Sequence, residues 1–129
     1  MTAFLWIFGV AGVANGIWML LAPEAWYNEL PAGVPDTGPL NLHFVRDIGA
    51  AFTTFGLALC VAAAIPKYRR PAVTITALFY GLHALIHVFD LIAGRLPAGH
   101  WLEDLPGVFA PAVLLAVLSM PRCWHDEAV

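Results

Sequence analysis

Two apolar stretches of this chain contain ionisable side chains that a lipid bilayer should exclude: His43, Arg46 and Asp47 in one, and His83, His87 and Asp90 in the other. His83 and His87 are four residues apart and Asp90 is three further on, so on a helix the three share one face. His43 and Asp47 are likewise one turn apart. An ionisable group at the centre of a bilayer costs about 2.5 kcal/mol or more, so these residues are expected to be paired, hydrated or functional.

Their donor types suit a transition metal. Imidazole nitrogens and carboxylate oxygens are ligands for zinc, copper or iron, and His-x-x-x-His on one helix makes a workable bidentate pair. His43, His83 and His87, with Asp90 and Asp47, are the candidate ligands. Calcium and magnesium fit less well, because they favour oxygen. Arg46 would balance the carboxylates; its fixed charge opposes a simple cation cage unless Asp47 or Asp90 neutralises it. Asn15, Thr53 and Thr54 add polar groups to the same core and are candidates for ligand contact.

Other chemistries use the same residues. With the histidines as proton carriers, they suit proton-linked transport of a small molecule. Haem ligation, or a quinone headgroup held by a histidine, ranks behind a metal ion. A structural alternative is an ion pair of Arg46 with Asp90 or Asp47 and a histidine network that sets helix registry in a non-catalytic subunit. Five histidines are too few for a multi-cluster di-iron enzyme, and no nucleophile or substrate is identifiable.

The elements that must position these groups follow from composition. The 129 residues are 60% hydrophobic and 12% charged, with a mean hydropathy of +0.77. A soluble domain carries about 25% charged residues, so this chain lacks the polar surface to coat a water-exposed globule. Four stretches, 2–22, 48–66, 71–89 and 105–121, contain no Asp, Glu, Lys or Arg. About 20 helical residues cross a bilayer core, and with their flanks the helices are expected over about 2–22, 43–65, 71–94 and 105–121. The first lacks a basic leading segment and reads as a mature helix rather than a secretory signal. The expected fold is an all-α, integral membrane four-helix bundle, a single domain over 1–129. Six basic residues make no nucleic-acid footprint. Cys60 and Cys123 imply no disulfide framework, and Cys60 reads as a small packing residue.

Charge sets the expected orientation. Lys67, Arg69, Arg70 and Arg122 fall at one end of the bundle. Glu24, Glu29, Asp36, Glu103 and Asp104 fall at the other, against Arg95 alone. The positive-inside rule then puts both termini in the cytoplasm of a multi-pass protein of the bacterial inner membrane. Trp26, Tyr27 and Trp101 mark the outer boundary, and Tyr68 and Trp124 the inner one. His100, beside Trp101, reads as an ordinary interfacial loop residue, and His125 as a tail residue.

Finer features follow. The loop after the first helix is rich in Pro and Gly, yet 24–30 can form a short interfacial turn lying over the bundle. Gly9, Gly12 and Gly16 allow close backbone approach, either within the chain or in a homodimer. Pro106 and Pro111 should shorten or kink the last helix. A turn of about five residues makes the second and third helices antiparallel neighbours, with Asp47 level with Asp90, Ala50 with His87, and Thr53 or Thr54 with His83. The polar pocket should therefore lie between those two helices and open outward.

The Leu21-Ala22-Pro23 step after the first helix and the Arg46-Asp47-Ile48-Gly49-Ala50-Ala51-Phe52 start of the second add a family likeness. With the number and size of the helices, they make the chain resemble the small four-helix bacterial membrane proteins grouped as DoxX-like, over most of its length. The resemblance implies a four-helix bundle, associated in some members with respiratory or sulfur-linked electron transfer to quinone, and so a partner in a membrane complex.

Overall fold

The structure is a computed structural model that describes residues 1–127, with side chains as far as Trp124; the side chain of His125 lies outside the described residues. Four helical spans are long and apolar enough to cross a membrane. The first is α1 (Thr2–Leu21). A short helix α2 (Pro23–Glu29) and a turn of 3-10 helix (Val34–Thr37) connect it to α3 (Leu42–Ala64). Next comes α4 (Arg69–Ile92), reached through a 3-10 turn at Pro66–Tyr68. The last span runs from α5 (His100–Asp104) through a π-helical stretch (Leu105–Phe109) into α6 (Ala110–Ser119).

Local chemistry explains where these helices start and stop. Asn41 caps α3, its side chain accepting from the backbone N–H of Phe44 at 3.1 Å. Pro71 sits in the first turn of α4, where a missing N–H removes no intrahelical bond, so α4 begins at Arg69 rather than at the proline. Its other end is closed by Gly94 at φ 68, with Gly94 N–H donating to Leu91 O and Arg95 N–H to Asp90 O, the paired bonds of a Schellman motif.

The last span begins five residues before the expected 105. Pro106 cannot donate to the preceding turn, and the backbone takes the wider π winding there instead of stopping. His100 to Asp104, expected in a loop, are therefore helical and run on into α6 through the π stretch.

Packing divides the spans into two close pairs, α1 with α3 and α4 with α6. Small residues build the first pair. Gly9, Gly12 and Gly16 face Gly49, Thr53, Gly56 and Cys60, and a Cβ placed on Gly56 would lie 2.6 Å from the backbone nitrogen of Val13. The Gly9, Gly12 and Gly16 row is thus used within the chain, as small residues are where membrane helices approach closely. Val73, Thr76 and Tyr80 of α4 and Ala112 and Leu115 of α6 are buried in the second pair. Rings join the pairs: Phe55 stacks on Phe79 at 4.4 Å, and Phe52 meets Phe79, Tyr80 and His83 edge-on. The outer faces remain apolar, with Ile7, Leu21, Leu85 and Ile92 all more than half exposed.

Candidate metal centre at the end of the bundle away from the termini

α4 ends, and α5 begins, at the end of the bundle where α1 hands over to α2. His87 lies on the last turns of α4. Four residues apart on α5, His100 and Asp104 point to one side of that helix. The turn closed by Gly94 folds α5 back, and His87 Nδ1 comes to 2.8 Å from Asp104 Oδ2. Where the carboxylate is ionised the ring nitrogen carries the shared proton, and a metal ion binding both groups would replace that proton.

Both α5 residues are sealed from solvent: His100 is 1% exposed and Asp104 2%. His100 Nε2 lies 3.6 Å from Asp104 Oδ1, too far for a hydrogen bond, and neither ring nitrogen of His100 has a hydrogen-bond partner. Buried polar atoms are nearly always partnered, because a bare one costs about 1–3 kcal/mol. An imidazole whose two nitrogens lack hydrogen bonds, beside a buried carboxylate, offers donors that a cation could use.

One donor atom from each of His87, His100 and Asp104 falls within a group spanning at most 4.8 Å. Tetrahedral ligands about 2.0–2.2 Å from zinc stand about 3.4 Å apart, so side-chain rotation of about 1 Å would bring the three onto one ion. Three protein ligands leave a coordination position open, unlike a closed structural site. The rings of His83 and His87 pack edge to face at 4.7 Å, which places His83 behind the cluster.

The remaining residues expected at the site lie elsewhere. His43 and Asp47 pair with each other at 3.4 Å on an open surface, their side chains 88% and 60% exposed. Asp90 turns toward Arg95, which donates to it at 2.9 Å. Arg46 donates from Nε to the carbonyl of Leu20 at 3.3 Å, so it serves the end of α1 rather than a carboxylate. Asn15 accepts from Trp26 Nε1 at 2.9 Å and ties α2 to α1. Thr53 and Thr54 each donate to the carbonyl one turn back, at 2.8 Å. The space between α3 and α4 beside His83 is filled by phenylalanine rings, with Phe52 rather than Thr53 against the imidazole. An open apolar groove along Arg70, Pro71, Thr74, Ile75 and Leu78 lies at the other end of α4.

His100 and Asp104 read as loop residues in the sequence because Gly94, Pro97 and Gly99 break the segment, with His100 at most extending the polar stripe to its mouth. Buried helix corrects the reading of His100 as an ordinary loop residue. One signal for them was present: His-x-x-x-Asp has the same one-turn spacing as His83 and His87 and directly precedes an apolar run.

Comparison with protein-family models, with curated proteins and with solved structures gave no match to this chain.

Proposed function

We propose that this chain is a small multi-pass membrane protein that binds a divalent first-row transition cation at His87, His100 and Asp104. The observation that carries this reading is the ring of His100, wholly buried, with both nitrogens bare, beside a buried carboxylate. Nitrogen and oxygen donors in this ratio suit zinc, iron or copper better than calcium or magnesium.

The apolar outer faces support insertion in a bilayer, and the basic turn at Lys67, Arg69 and Arg70 supports an orientation with both termini in the cytoplasm of a bacterial inner membrane. The cluster then faces outward. Single cysteines replacing Glu29 and Lys67 test this: an impermeant maleimide added to intact spheroplasts should label the first and not the second, and the reverse pattern would invert the topology.

Binding is tested by titrating cobalt(II), as a spectroscopic substitute for zinc, into the full chain purified without a histidine tag. Wild type should develop visible d–d absorption with one ion per chain, and His87→Ala and His100→Ala should lose it while keeping their helical circular dichroism. A wild-type chain that takes up neither cobalt nor zinc would leave the cluster as a polar network joining α4 to α5, as in a non-catalytic partner subunit.

A further inference from the structure

The ring of His100 has an outer side as well as an inner one. Its Nε2 faces Asp104, whereas its Nδ1 faces Asp36 Oδ2 at 3.7 Å and Glu103 Oε2 at 3.9 Å. Those two carboxylates are each 50% exposed, and the imidazole between them and the cluster is fully buried. Nδ1 is a bare nitrogen aimed at acidic groups on the water boundary. The 3-10 turn carrying Asp36 closes over the ring at Gly33, whose φ of 56° is left-handed. A Cβ on Gly33 would collide with Glu103 Oε2 and lie 2.8 Å from His100 Cε1, so backbone alone covers the imidazole here.

We infer that Asp36 and Glu103 form the portal of the buried cluster: they receive a divalent transition cation from the aqueous side and deliver it to His100 beneath the Gly33 turn. This rests on the metal-binding reading above. Two carboxylates of one sign at a cleft raise the local cation concentration and can speed association 10-fold to 1,000-fold, with a strong dependence on salt. Imidazole suits zinc, copper and iron, whereas exposed carboxylates are the harder ligands that also serve magnesium and calcium. The ion thus moves from oxygen toward nitrogen, and its displaced waters return to bulk. A neutral imidazole has one free lone pair. Passing an ion from the outer to the inner nitrogen of His100 therefore moves the ring proton the other way, from Nε2 to Nδ1, with the carboxylates on either side, Asp104 and Asp36 or Glu103, as the groups that relay it.

The test uses the full chain in phospholipid nanodiscs, mixed with zinc chloride in a stopped-flow instrument, with a fluorescent zinc indicator as competitor, at low and high salt. Asp36→Asn with Glu103→Gln should load about tenfold more slowly than wild type and lose most of the salt dependence. Both side chains are half exposed, and helical circular dichroism equal to wild type checks that the double variant keeps its fold. Glu24→Gln with Glu29→Gln removes the same charge from exposed positions on α2 and should load at the wild-type rate. Equal rates in the portal variant and wild type, or equal slowing in the charge-matched control, would overturn the portal and leave the metal site standing. Failure of the wild type to take up zinc at all would overturn both.

Discussion

His87 Nδ1 and Asp104 Oδ2 stand 2.8 Å apart, joining residues seventeen positions apart across the turn between α4 and α5. This contact turns a histidine on a lipid-length helix into part of a three-residue cluster whose other two members are buried. It also couples the end of α4 to the start of the last span, so the cluster's chemistry and the stability of this end of the bundle should change together.

Asp104→Ala tests that coupling. It removes the acceptor of His87 and the carboxylate beside His100, and should cost about 1–3 kcal/mol, as leaving buried polar groups unpartnered does. Zinc should raise the melting temperature of wild type, by about 2.7 kcal/mol of stabilisation at a hundredfold excess over Kd. The variant should show no zinc-dependent rise. Thermal melts in detergent, with zinc and with chelator, measure both effects.

His43→Ala and Asp47→Asn should leave zinc uptake and the melting temperature as in wild type. Their pair is solvent-exposed, and exposed ion pairs contribute about 0–1 kcal/mol. Isothermal titration with zinc checks this, and a tenfold loss of affinity in either variant would return these residues to the site.

Two glycines give an internal contrast. Gly56→Ala places a methyl against the backbone of α1 and should force α1 and α3 apart, costing about 1–3 kcal/mol as overpacking does. Gly81→Ala has nothing within 4 Å of its new methyl and should be neutral, or stabilising by up to about 1 kcal/mol through helix propensity. Equilibrium unfolding in mixed detergent micelles ranks the two variants against wild type.

The Trp26 to Asn15 hydrogen bond should hold α2 against α1. In a double-mutant cycle of Trp26→Phe and Asn15→Leu, a coupling of about 0.6 kcal/mol is expected, the average for hydrogen bonds between membrane helices, with about 1.7 kcal/mol as the upper bound. Proteolysis of the 30–41 loop should quicken in both single variants. A coupling near zero would mean that Trp26 is held by packing alone.

The helices were legible in the sequence because length and apolarity are local properties: four uncharged stretches of bilayer length became four membrane-capable spans. The Gly9, Gly12 and Gly16 row likewise announced a close helix contact. His83 and His87 were legible as a polar face on one helix, since one-turn spacing fixes which residues point together. What that face meets is not a local property. Pairing of α1 with α3 and α4 with α6, and the Phe52 and Phe55 rings filling the space beside His83, depend on contacts between distant segments. Asp90 pairs locally with Arg95 past the Gly94 turn, and His43 and Asp47 stay in the open, whereas long-range contacts build the cluster. They brought Asp104 to His87 because a buried carboxylate needs a donor, and α5 reaches one only when the Gly94 turn folds it back onto α4.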